Sequence, residues 1–166
     1  ELPPAELKAQ FARCREWCRL LGVAEYGSAE YEADDIIGTL LHRVRAAGLR
    51  GTIVTRDKDL AQLVREGDEF WDWMAEERYA YAEIAPRFGV APERIADFLA
   101  LTGEHRETAF LARELTRIAC DMPLAATPED LRRRAPDLAG VDEFCEAARF
   151  GPMLRRQAER IARRLA

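Results

Sequence analysis

The side chains best suited to chemistry are five carboxylates in two short stretches: Glu32, Asp34 and Asp35, then Asp57 and Asp59. The first three open a helical run through Ile36, Ile37, Leu40, Leu41 and Val44, and helix geometry puts Glu32 and Asp35, three apart, on one side. Asp57 and Asp59 follow the β-branched run Thr52-Ile53-Val54-Thr55, and a two-residue step aims both the same way if the strand extends that far. Carboxylates that converge repel one another, and a hard divalent cation with oxygen preference, Mg2+ or Mn2+, relieves the repulsion. Two such ions roughly 3.5–4 Å apart suit phosphodiester cleavage, one activating water and the other stabilising the departing oxygen. Each stretch also has a plain structural explanation. Acids favour a helix first turn through capping and the macrodipole, and an Asp-x-Asp after a strand occurs in simple turns. The pairing of the two stretches, one helix and one strand apart, favours the metal reading.

Other chemistries find little support. The two histidines, His42 and His105, have no serine or carboxylate at a telling distance, and Cys14, Cys18, Cys120 and Cys145 form no CxxC pair. Cys14 and Cys18, four apart on one helix face, read as small core residues in a reducing compartment. No GxSxG, Walker A or GxGxxG pattern occurs. The net charge of -5 argues against a general polyanion binder, yet setting the five acids aside leaves 25 acids against 25 bases, so the excess can sit in one pocket. The last segment is locally basic, with Arg155, Arg156, Arg160, Arg163 and Arg164 against Glu159; it reads either as a solvated face or as a track for a phosphate backbone. Trp71, Trp73, Tyr79 and Tyr81 alternate as in strands and read as sheet packing rather than a base-stacking platform.

The elements that must position the acids follow from periodicity. A helix is predicted over 3–21, a second over the Glu32 run closing at Gly48, a strand at 52–55, and a further helix from Leu60. The aromatic segments at 70–74 and 78–81 suggest a hairpin or two neighbouring strands, and two short helices broken at Gly89 follow. Three helical pieces are predicted beyond, at 104–119, 128–134 and 141–165, the last interrupted at Gly151-Pro152. Helices alternating with three or four strands imply an α/β protein with a parallel sheet covered on both faces. At 166 residues the chain is one domain with at most a small second lobe, and 48% apolar content with no long apolar stretch disfavours a membrane span or a secretory leader.

The ordered set Glu32-Ala33-Asp34-Asp35-Ile36-Ile37-Gly38-Thr39-Leu40, then Ile53 to Leu63, then Phe88-Gly89-Val90 with Ile95 to Gly103, resembles the structure-specific 5' nucleases. The nearest likeness is to the 5'-3' exonuclease domain of bacterial DNA polymerase I and its stand-alone flap endonuclease relatives, strongest over residues 20–103. That resemblance implies a PIN-like three-layer α/β sandwich with a mostly parallel sheet and a helical C-terminal region. It implies a hydrolase of replication and repair, cytoplasmic and monomeric, that cleaves DNA near a 5' end or flap with Mg2+ or Mn2+, in two ions. By matching position, Glu32, Asp34, Asp35, Asp57 and Asp59 are its catalytic and metal-binding acids; no residue is assigned to DNA binding. The division expected is a nuclease core over 1–103 and a helical region over 104–166. The family's opening strand with its essential aspartate, its basic arch, and the glycine-rich helix-three-turn-helix after the ALTG motif have no counterpart here. Either those parts are lost, leaving a catalytically incomplete DNA-binding or scaffold protein, or the sequence joins pieces of a longer chain. Unpaired sheet edges left by a missing central strand favour the second.

Overall fold

A computed structural model of the chain describes residues 4–102 and 116–166. Two compact units emerge, one of Gly27–Pro128 and one of Glu1–Tyr26 with Glu129–Ala166. The first helix therefore groups with the end of the chain, a partition different from the division expected at 103/104.

In the larger unit, α1 having been assigned to Ala5–Leu20 of the other, the elements are α2 (Ala33–Ala46), β1 (Thr52–Val54), a 3-10 helix (Lys58–Leu63), β2 (Glu69–Asp72), β3 (Glu77–Ala80), α3 (Tyr81–Phe88), a 3-10 turn (Pro92–Arg94) and α4 (Ile95–Thr102). β1 pairs parallel with β2, Ile53 opposite Phe70, and β2 pairs antiparallel with β3, Phe70 opposite Tyr79. The α/β class thus stands, while the expected mostly parallel sheet is, among the described residues, a small sheet with one parallel and one antiparallel ladder. The expected hairpin forms: Asp72 accepts the N–H groups of Met74 and Ala75, and Glu76 takes the left-handed turn position with φ 57°.

One apolar layer joins these elements. Leu41 of α2, Ile53 of β1, Leu60, Leu63 and Val64 around the 3-10 helix, Phe70 of β2, Ile84 of α3 and Ile95 of α4 form a single buried cluster. Phe70, Tyr79 and Phe88 pack ring to ring at 5.9–6.3 Å; of the four alternating aromatics, Tyr79 and Tyr81 pack against the buried cluster, Trp71 lies under the Arg78 guanidinium, and Trp73 at the turn is 57% exposed. Behind the sheet, buried Asp68 accepts from the Gly51 and Arg65 N–H groups and pairs with Arg45, fixing the end of α2 to the starts of β1 and β2. Gly89 closes α3 in the left-handed conformation.

The predicted α-helix from Leu60 is instead a 3-10 helix of six residues. Asp57 caps it by accepting the Asp59 N–H at 3.0 Å, and Leu60 to Val64 are all buried. The run is too short for more than a tight turn, and Leu60, Ala61, Leu63 and Val64 are all spent on the core.

In the smaller unit, α1 packs with α5 (Leu138–Ala147) and α6 (Pro152–Leu165), around Val141, Cys145 and Ala158 with Trp17, Leu20 and Leu21. Arg134 donates its N–H to the Gly22 carbonyl, and a Cβ at Gly22 would lie 2.1 Å from the Arg134 oxygen, so that position, with φ 70°, requires glycine. The predicted apolar face of α1 is only partly used: Cys14 is exposed, Cys18 half-buried, and Phe11 53% exposed, so the cysteine pair is not a core feature. Of the helical pieces expected after Gly103, most of 104–119 lies outside the described residues, and 128–134 is reduced to a single 3-10 turn, Glu129–Leu131. Among the described residues no helix is long and apolar enough to cross a membrane.

Candidate active site

The two acidic stretches meet. Asp34, half-buried in the first turn of α2, has its pKa raised above the usual aspartate value, first by burial and then by the charges of Asp57, Glu32, Asp35 and Asp59. Asp59 is raised for the same two reasons, burial first and Asp57 second. One side chain therefore feels all four other acids, and Asp34 sits in a cluster of negative charge.

The five are not equivalent. Asp57 is held by two turns of hydrogen bonding: its N–H donates to the Thr55 hydroxyl at 2.9 Å, and its carboxylate accepts the Asp59 N–H. β1 ends immediately before this loop, where Thr55 donates its N–H to the Trp71 carbonyl, so the parallel ladder presents Asp57 and Asp59 at its carboxyl end. Glu32 is exposed at the N-cap of α2.

Asp35 turns elsewhere. One oxygen accepts the Glu32 N–H at 3.2 Å, and the other accepts the Ala119 N–H at 2.8 Å. Four residues on, the buried Thr39 hydroxyl accepts the Met122 N–H at 3.3 Å, and four further, Arg43 donates to the carbonyls of Leu124 and Ala126. Asp35, Thr39 and Arg43 thus form a ladder along one face of α2 that straps down residues 119–126. Gln62 of the 3-10 helix completes it, donating to the Thr116 carbonyl and accepting the Ile118 N–H. Gly38 allows the close approach: a Cβ there would lie 2.9 Å from Ile118 Cγ2 and 3.0 Å from the Cys120 sulfur. Thr39, Arg43 and Gln62 carry no chemical motif; the four-residue steps from Asp35 to Thr39 to Arg43 are the one sequence signal of a shared helix face, and Gln62, on another element, has none.

Of the remaining candidates, His42 is exposed on α2 and His105 lies outside the described residues. The five acids offer carboxylate oxygens, the chemistry that hard divalent cations select. Among the described residues no three acidic, histidine or cysteine side chains stand close enough together to ligate one ion as placed.

The comparison that decides the family is with its sequence model: residues 1–89 match the 5'-3' exonuclease N-terminal, resolvase-like domain. The chain belongs to this family. Within it, the chain is 28% identical over 200 aligned positions to the thermostable DNA polymerase I of Thermus filiformis, covering 91% of this chain and 24% of that protein. It is 36% identical over 101 residues to the 5'-3' exonuclease of Aquifex aeolicus, covering 61% of this chain and 35% of that one. To the flap endonuclease Xni of Tolumonas auensis it is 25% identical over 178 residues, covering 80% and 68%. The chain spans about a quarter of the polymerase and about a third of the exonuclease. An alignment of 200 positions exceeds the 166 residues of this chain, so that polymerase carries residues with no counterpart here.

Proposed function

We infer that the chain is a metal-dependent nuclease that hydrolyses DNA phosphodiesters near a 5' end or flap. The observation that carries this is the convergence on Asp34 of the charges of Glu32, Asp35, Asp57 and Asp59 in a member of the 5'-3' exonuclease family. Asp34, Asp57 and Asp59 would hold the divalent cation, Mg2+ or Mn2+ and two ions by the family pattern, with Glu32 at the rim. When bound, such an ion lowers the pKa of water and offsets charge developing on the phosphate oxygens. The chain's own contribution is placement. The capped loop after β1 fixes Asp57 and Asp59, and the α2 strap fixes the first turn that carries Asp34.

Asp35, expected among the metal acids, would then act as a positioning residue through its bonds to Glu32 and Ala119. Replication or repair in the bacterial cytoplasm, by a monomer, is the setting that this reading implies.

A second reading is favoured by one observation: among the described residues no trio of ligands is closed around an ion. On that reading the chain binds DNA without cutting it. Incubation with a labelled 5'-flap duplex in Mg2+, Mn2+ or EDTA separates the two. Metal-dependent release of the flap strand is expected; DNA binding without cleavage in either metal would leave the second reading.

A further inference from the structure

The C-terminal helix α6 (Pro152–Leu165) is divided lengthwise between two jobs. Leu154 and the fully buried Ala158 pack against the core of the smaller unit. Arg155 flanks that face and pairs with Asp142 at 3.3 Å and more loosely with Glu146 at 3.9 Å, both on α5. At about 100° per residue, Arg156, Arg160 and Arg163 fall within an arc of roughly 60° on the opposite side of the helix. All three are exposed, and among the described residues none has an acidic partner. They share one open face of α6 with Met153, Gln157 and a single acid, Glu159.

We propose that the Arg156–Arg160–Arg163 face of α6 grips the phosphodiester backbone of duplex DNA. This rests on the reading that the chain acts on DNA, and it concerns a surface other than the acidic cluster. Steps of four and three residues spread the guanidinium stems over about 10 Å of helix axis. A DNA strand offers one phosphate per 3.4 Å of its own axis, so the stripe spans about three phosphates. Guanidinium forks suit phosphate oxygens, and an unpaired arginine needs to break no internal ion pair to engage them. An anionic membrane is the other partner of basic helices, but such helices insert an apolar face, and here Leu154 and Ala158 are already committed to the protein core.

The test is fluorescence anisotropy of a labelled duplex of random sequence, titrated with the chain in EDTA from 50 to 200 mM salt. Neutralising three phosphate contacts, in R156Q/R160Q/R163Q, should lower the slope of log affinity against log salt by about 2.7. The wild-type chain should accordingly lose about 40-fold more affinity than the variant across that range. The R156K/R160K/R163K variant should keep most of the slope, which guards against a loss caused by misfolding. Equal slopes for wild type and the Gln variant would overturn the proposal. So would an equal fall in R132Q/R133Q/R134Q, which makes the same change in net charge elsewhere, or arginine-dependent binding to phosphatidylserine vesicles with DNA slopes unchanged. A chain that cuts no flap yet shows the slope difference sinks the nuclease reading alone, and one that cuts with equal slopes sinks this proposal alone.

Discussion

The Asp35 carboxylate accepts the backbone N–H of Ala119 at 2.8 Å across 84 positions of chain, while its neighbour Asp34 faces the charges of Asp57 and Asp59. Adjacent acids in one helical turn thus do opposite work, one holding the fold and the other loading it with repulsion. The first prediction follows from that division. Asp35→Ala leaves the partly buried Ala119 N–H unsatisfied and removes the exposed bond from the Glu32 N–H, at about 1–3 kcal/mol together. The melting midpoint should fall by about 3–8 °C. Asp35→Asn keeps an acceptor for one donor and should lose less than half as much. A midpoint for Asp35→Ala at or above that of the wild type would show that the strap carries no stability.

Asp34 should behave in the opposite sense. Its pKa, like that of Asp59, is raised, so the folded state binds the proton more tightly than the unfolded chain. Stability from this group is therefore present in acid and is lost as pH rises from the ordinary aspartate value through the raised one. Asp34→Asn removes a repelled charge and should raise the metal-free midpoint near pH 7 by about 1–3 °C, a modest amount because the site is largely solvated. At pH 3.5 the gain should vanish. A gain that is constant across this window would exclude charge repulsion as its cause.

How much of this was legible beforehand divides along physical lines. The helix period of Ile36, Leu40, Leu41 and Val44, the β-branched run at 52–55 and the aromatic hairpin are local patterns, and each became the element expected, within a residue or two. The 3-10 helix at Lys58–Leu63 departs from the expected α-helix because an apolar spacing of three and four does not distinguish a tight buried turn from an α-helix. Asp35's true partner could not be read at all, since Ala119 offers only a backbone N–H, which no side-chain pattern announces. The same holds for α1, whose periodic face looked like core although Phe11 stays exposed and Cys14 points outward. The charge that Asp57 and Asp59 exert on Asp34 follows from a strand end and a helix start that display side chains at one rim.

A divalent ion held only by the folded state must raise the midpoint in proportion to the logarithm of its excess over Kd. With Mn2+ at about 100 times Kd that amounts to about 2.7 kcal/mol, a shift of several degrees. Asp57→Asn and Asp34→Asn should abolish the shift, whereas Asp35→Asn should retain most of it. A full shift in Asp57→Asn would remove that residue from the ligand set. In the flap assay, Asp57→Asn should cut more than 100-fold more slowly, since several kcal/mol of charge stabilisation are lost, with DNA affinity unchanged or improved.

Gly38 tests whether the strap and the acidic cluster are mechanically linked. An added Cβ would stand 2.9 Å from Ile118 Cγ2, 3.0 Å from the Cys120 sulfur and 3.1 Å from the Ala119 carbonyl oxygen, three atoms of the same strapped segment. Contacts that close cannot all relax by rotating one side chain, because one of them is backbone, so residues 118–120 must lift from α2. Gly38→Val should therefore cost about 1–3 kcal/mol as overpacking. It should also lengthen the Asp35 to Ala119 bond and free the first turn of α2. The consequence for the site is specific: Gly38→Val should weaken Mn2+ binding in the thermal-shift assay, although the residue is neither charged nor one of the acidic cluster. Gly38→Val combined with Asp35→Ala should be less destabilising than the two losses added together, since both release the same segment. Strict additivity would mean that the strap is not a single cooperative element, and unchanged Mn2+ affinity in Gly38→Val would mean that it does not position Asp34.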